Sequence, residues 1–123
     1  MSINDVRAQD GLLTVSRTDE GAFVRLALAG ELDLSNLPTL EATLDGAIKS
    51  GKKVLFDLHR LEFLDSTGLA LIVRMLGRRD AERFSFVPST SGSVRRLLSL
   101  TGLDERMVVD SGAAEPISTA PRA

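Results

Sequence analysis

The spacing of apolar and polar positions changes along the chain, and each change predicts an element. Leu12 to Thr18 alternates loosely and includes Thr14 and Val15. Asp19-Glu20-Gly21 is a turn signal, and Phe23, Val24, Leu26 and Leu28 form a second run ending at Gly30. Two such runs across a short polar turn predict a β-hairpin. Leu37, Leu40, Leu44, Ala47 and Ile48 then recur at helical spacing. Ser35 is placed as the cap of that helix, with Pro38 in its first turn, where the missing N–H costs little, and Gly51 at its end.

Val54-Leu55-Phe56, continued by Leu58, is an unbroken apolar run of the kind found in a central strand covered on both faces. His59 to Leu64 is expected to be a loop. Leu69, Ile72, Val73 and Leu76 form the stripe of a second helix, closed by Gly77 and the polar run Arg78-Arg79-Asp80. Phe84 to Val87 predicts a strand stopped by Pro88, and Val94, Leu97 and Leu98 a third helix. Thr101-Gly102-Leu103 is a helix stop, and Met107-Val108-Val109 a short last strand. The predicted order is β-β-α-β-α-β-α-β. This is an α/β fold: a mixed, mainly parallel β-sheet with an N-terminal β-hairpin and helices packed on it. Residues 1–110 are expected to form one domain. Residues 111–123, small, polar and proline-bearing, are expected to be a disordered C-terminal tail.

Length and composition narrow the chemistry. A chain of 123 residues is one ordinary domain, large enough to bury a core without staples. With no cysteine there is no disulfide, thiolate metal site or cysteine nucleophile. A single histidine, His59, leaves little for zinc, and it reads as an exposed loop residue. No metal and no cofactor are expected. A net charge of −2 with no tryptophan or tyrosine points away from nucleic acid. No signal-like start and no apolar stretch approaching about 20 residues is present, so no membrane association is expected and the location is expected to be cytoplasmic.

The motif with chemical content is Asp65-Ser66-Thr67-Gly68, where a strand and loop hand over to a helix. Helix starts offer unpaired N–H groups and the positive end of the helix dipole, which favour an anion. Two adjacent hydroxyls stand there. The same residues read equally as helix caps, with Gly68 allowing close packing. Enzyme motifs fit poorly. Leu64 occupies the position of the first glycine in a Gly-x-Ser-x-Gly elbow, the histidine precedes the serine, and no phosphate-binding glycine loop occurs. Arg78-Arg79 and Arg95-Arg96 read as solvated helix faces.

Four segments together resemble the STAS domain of anti-sigma-factor antagonists and sulfate transporters. They are Gly30-Glu31-Leu32-Asp33, Val54-Leu55-Phe56-Asp57-Leu58, Phe63-Leu64-Asp65-Ser66-Thr67-Gly68-Leu69, and Val94 to Leu98 with Thr101-Gly102-Leu103. They span about residues 10 to 110. The resemblance implies an antagonist without enzymatic activity that binds an anti-sigma factor acting as a serine kinase. Phosphorylation of Ser66 by that kinase releases it, a serine phosphatase resets it, and sigma-factor-dependent transcription follows. Thr67 is the weaker acceptor. Asp33, Ser35, Leu64, Asp65, Thr67, Gly68 and Leu69 are the candidate partner-binding residues, and Leu64 and Leu69 read equally as core. The free protein is expected to be a monomer. The alternative is a STAS scaffold subunit of a stress-sensing or lipid-transport assembly, without a phospho-switch.

Overall fold

The computed structural model describes residues 6–105. Five strands, three α-helices and two short 3-10 turns follow one another in those residues. The strands are β1 (Val6–Asp10), β2 (Leu13–Glu20), β3 (Phe23–Leu32), β4 (Lys53–Leu64) and β5 (Phe84–Val87). The helices are α1 (Leu37–Lys49), α2 (Ser66–Leu76) and α3 (Gly92–Leu100). The strands lie in one sheet in chain order, β1 to β5. β1 and β2, then β2 and β3, pair antiparallel, whereas β3–β4 and β4–β5 are parallel. The mixed α/β sheet expected from the sequence is therefore present.

Three details differ from the sequence reading. An extra edge strand, β1, precedes the hairpin and pairs Val6 with Arg17 and Asp10 with Leu13. Its sequence, Val-Arg-Ala-Gln-Asp, alternates only weakly, with Val6 and Ala8 its only apolar residues and Val6 its only β-branched one, so the pattern did not reveal it. The segment from His59 to Leu64 is not a loop but the second half of β4. The β3–β4 register shifts between Ala27 and Ala29 and again between Gly30 and Glu31, each time admitting one extra residue of β4. Those bulges break the two-residue period and make a long strand look like a strand plus loop. His59 is accordingly a half-buried strand residue. Finally, α1 is capped by Asn36 rather than Ser35. The predicted strand Met107-Val108-Val109 and the tail 111–123 lie outside the described residues.

One face of the sheet carries the main core. Val24, Leu26 and Leu28 of β3, Val54, Phe56 and Leu58 of β4, and Phe84 and Phe86 of β5 meet Leu40, Leu44 and Ala47 of α1 and Leu71, Ile72 and Met75 of α2. The rings of Phe56 and Phe86 stack with centroids 5.4 Å apart. Alternate residues of the same strands turn to the other face, where Leu55 and Val87 are buried beside Phe23. Arg25 and Asp57 are buried among these alternate positions, 2.9 Å apart, and Arg25 also bonds Glu20 at 3.0 Å. Gly30 is required where β3 bends. Its φ is +97°, and a Cβ would overlap the carbonyl oxygen of Leu12, which instead accepts the Glu31 N–H at 2.9 Å.

Candidate functional site

The parallel strands β3 and β4 end side by side, with Leu32 opposite Leu64. Each then turns into a helix, β3 into α1 and β4 into α2. The Gly-Glu-Leu-Asp segment and the Asp-Ser-Thr-Gly segment therefore form one corner of the molecule, although more than thirty residues separate them in the chain.

Asp65 organises this corner. Its N–H donates to Leu32 O at 3.2 Å, which fixes the turn against β3. Its carboxylate Oδ1 accepts from the amides of Thr67 and Gly68, each at 3.0 Å, and from the Thr67 hydroxyl at 2.6 Å. Oδ2 accepts from Leu34 N at 3.1 Å, across from the other loop. Asp65 is thus a helix N-cap and a clamp between the two loops. The Thr67 hydroxyl bond, then the amides of Gly68, Leu34 and Thr67, hold its carboxyl below the ordinary value against the opposing effect of partial burial. The side chain is an anion at neutral pH.

The two hydroxyls of the motif now differ. Thr67 donates its own to Asp65 and is half-buried. Ser66 is the first residue of α2, it is exposed, and among the described residues no partner holds its hydroxyl. Gly68, buried one residue further on, is needed sterically. A Cβ there would overlap Leu64 Cδ1 and lie 2.9 Å from Leu32 Cδ2. The glycine lets the start of α2 settle onto the ends of β3 and β4, so the packing explanation of Gly68 holds.

The second loop is built around Asn36. Its buried carboxamide accepts the Asp33 N–H at 2.9 Å and donates to Glu31 O at 3.0 Å. Asp33 in turn accepts the N–H and hydroxyl of Ser35 on Oδ1, at 3.0 and 2.6 Å. Sequence reasoning overlooked Asn36. Its neighbour Ser35 reads as the cap of α1, and nothing in the pattern shows that Asn36 is buried.

The candidate partner-binding residues divide accordingly. Asp33, Ser35, Asp65 and Thr67 lie in the two turns at Ser66's end of α2, while Gly68 is buried against Leu64 and Leu32. Leu64 is only 5% exposed and belongs to the core, and Leu69 is half-buried against it. The apolar side chains that do face outward here are Leu34, 68% exposed, and Phe63, 44% exposed. Leu34 lies in the Asp33-Leu34-Ser35 loop, which the sequence already suggests as part of the surface, whereas the exposure of Phe63 near the end of the bulged β4 has no periodic signature.

Among the described residues no titratable group hydrogen-bonds the Ser66 hydroxyl, so none of them stands in place as a base to activate it. The corner offers an unactivated primary alcohol on a fixed helix start, next to a permanent carboxylate.

A fold of helices on a mixed sheet, with an Asp-Ser-Thr-Gly turn at the ends of two parallel strands, defines a class. Residues 15–110 match the family described as "Mlab, STAS domain", and the chain belongs to the STAS-domain family. The anti-sigma-B factor antagonist of Staphylococcus aureus (strain NCTC 8325 / PS 47) is 31% identical over 104 residues, an alignment covering 81% of this chain and 94% of that protein. The crystal structure of an anti-sigma factor antagonist from Mycobacterium paratuberculosis superposes with a TM-score of 0.68 at 26% identity, over 79% of this chain and 84% of that one. SpoIIAA, an anti-sigma factor antagonist solved in its unphosphorylated form, gives 0.64 at 22% identity over 86% and 97%, and shows the shared fold. Among the described residues no helix is long and apolar enough to cross a membrane.

Proposed function

We propose that this protein is an anti-sigma-factor antagonist, that it binds an anti-sigma factor with serine kinase activity, and that phosphorylation of Ser66 switches it off. The observation that carries the reading is the contrast at the start of α2: Ser66 presents a free, exposed hydroxyl, while the Thr67 hydroxyl is bound to Asp65 at 2.6 Å. Similarity to antagonists over most of the chain supports it. In the reaction, Ser66 Oγ bonds to the γ-phosphorus of ATP, the bridging oxygen leaves with ADP, and the hydroxyl proton passes to a base on the kinase. A serine phosphatase reverses the modification. The antagonist itself supplies position and no catalytic group.

The physics of the corner favours a switch that acts on binding. A phosphoserine carries about −1.5 to −2 charges. The amides of Thr67 and Gly68, which would otherwise receive it, are already taken by Asp65. The phosphate therefore stands outward beside a second anion. Burying such a group under a partner without matching cations is very costly. The domain should keep its fold, with far-UV spectra and melting curves of the two forms nearly superimposed.

The test is intact-mass spectrometry after incubation with ATP and kinase-type anti-sigma factors. One phosphate on the wild type and none on Ser66→Ala is expected. A phosphate persisting on Ser66→Ala would move the acceptor elsewhere, and no phosphate with any kinase would favour the scaffold alternative.

A further inference from the structure

We propose that Asn36 is a positioning residue of the Ser66 corner: its buried carboxamide folds the Asp33–Ser35 turn so that the Leu34 N–H reaches Asp65 and the Leu34 side chain faces outward next to the phosphoacceptor. The inference rests on the antagonist reading for its functional meaning, and on geometry for everything else.

Asn36 is 1% exposed, an unusual setting for a residue at a helix start, where a cap ordinarily turns its side chain onto the helix amides. Here the side chain makes no such bond. It turns backwards instead. Oδ1 accepts Asp33 N, and Nδ2 donates to Glu31 O. One carboxamide thus pins the residues on either side of Leu32, where β3 ends. The chain between Asp33 and Asn36 must close as a tight turn, reinforced by Asn36 N and Leu37 N, both donating to Asp33 O at 3.2 and 3.0 Å. Leu34 sits at the apex of that turn. Its N–H points to Asp65 Oδ2 at 3.1 Å, and its side chain is 68% exposed.

The consequence is a chain of fixed contacts from Asn36 through Leu34 to Asp65, the cap of the helix whose first residue is Ser66. An apolar side chain held rigidly at such a place binds with less loss of conformational freedom than one on a loose loop. An asparagine serving the fold alone would also join β3 to α1, so the test must read the corner itself.

The experiment compares wild type, Asn36→Ala, Asn36→Asp and Thr39→Val. Thr39→Val is the fold control: it removes the neighbouring bond from Thr39 Oγ1 to Asp10 Oδ2, 2.7 Å, and leaves in place the Asn36 side-chain bonds to Asp33 N and Glu31 O, the long contact from Asn36 Nδ2 to Asp10 O at 3.5 Å and the backbone bond from Thr39 N to Asn36 O. The first readout is the titration of the Asp65 carboxyl by carbon NMR, which needs no partner. The second is steady-state phosphorylation of Ser66 by a kinase-type anti-sigma factor. Asn36→Ala should raise the pH at which Asp65 titrates, because one amide donor is lost, and should raise KM by about tenfold with kcat within about twofold. Asn36→Asp keeps the acceptor for Asp33 N but loses the donor to Glu31 O and adds a like charge, so it should raise the Asp65 titration and KM at least as far as Asn36→Ala does. Thr39→Val should lower the melting temperature and move neither readout. An Asp65 titration unchanged in both Asn36 variants, or moved equally by Thr39→Val, overturns the proposal. If Asn36→Ala does not fold, Asn36→Asp carries the comparison. A wild type that no kinase phosphorylates defeats the antagonist reading, while the Asp65 titration still decides the role of Asn36.

Discussion

Two polar clusters flank the same pair of strands, and they are built on opposite plans. In the first, Arg25 of β3 lies between Asp57 of β4 and Glu20 of β2, charge against charge, with the Arg25 and Asp57 side chains almost wholly buried. In the second, at the ends of β3 and β4, Asp65 and Asn36 bind mainly backbone amides and carbonyls, and one hydroxyl, that of Ser66, is left over. The first cluster ties three strands together through charged side chains, two of them buried. The second uses its hydrogen bonds to hold two loops still and leaves the exposed, unactivated Ser66 hydroxyl outside. Charge alone would point to the first cluster, since its ion pairs are the more conspicuous feature.

The comparison can be broken by substitution. The largest effect is expected at Arg25. Arg25→Ala strands Asp57 in a buried position and should cost about 3–5 kcal/mol by denaturant unfolding, while the molecules that remain folded stay competent for phosphorylation at Ser66. Loss of phosphorylation in the folded fraction would mean that the two clusters are coupled. Gly68→Val comes next. The new side chain must displace Leu64 and Leu32, a cost of about 1–3 kcal/mol, and a shifted α2 should slow phosphorylation as well.

Asp65→Ala removes the cap of α2 and should cost about 0.5–2 kcal/mol at neutral pH. The sign of its pH dependence follows from the lowered carboxyl value. A carboxyl depressed in the folded state contributes its full stability above its unfolded value of about 3.9 and loses it as pH falls through the folded value. The stability gap between wild type and Asp65→Ala should therefore be constant above about pH 5 and close in stronger acid. A gap independent of pH would show that the carboxylate's hydrogen bonds are not what the alanine removes. The smallest stability effect belongs to Ser66→Ala, within about 0.5 kcal/mol of wild type, although it should abolish the modification entirely.

Much of this was legible in the sequence because the signals were local. The helical spacing of Leu40, Leu44 and Ala47, the apolar run of β4 and the Asp-Ser-Thr-Gly turn each depend on near neighbours, and each appears where expected. What escaped depends on partners distant in the chain. β1 is a strand because β2 offers it an edge, not because its own residues favour one. The bulges of β4 are visible only against β3. Leu64 reads equally as a partner contact or as core in its own heptapeptide, and Gly68 and Leu32, which close over it, decide for core. Ser35 reads as the cap of α1 and Asn36 is passed over, because its use as a buried strut becomes apparent only once Glu31, Asp33 and Asp65 are brought together in space.

The most direct measurement of the central claim is the affinity of the protein, unmodified and phosphorylated at Ser66, for one kinase-type anti-sigma factor, determined by titration calorimetry without hydrolysable nucleotide. The account requires that the unmodified form bind and that the phosphorylated form bind at least about tenfold more weakly, since a dianion beside Asp65 must be buried or excluded. Equal affinity of the two forms would contradict the switch, and absence of binding by either would contradict the antagonist itself.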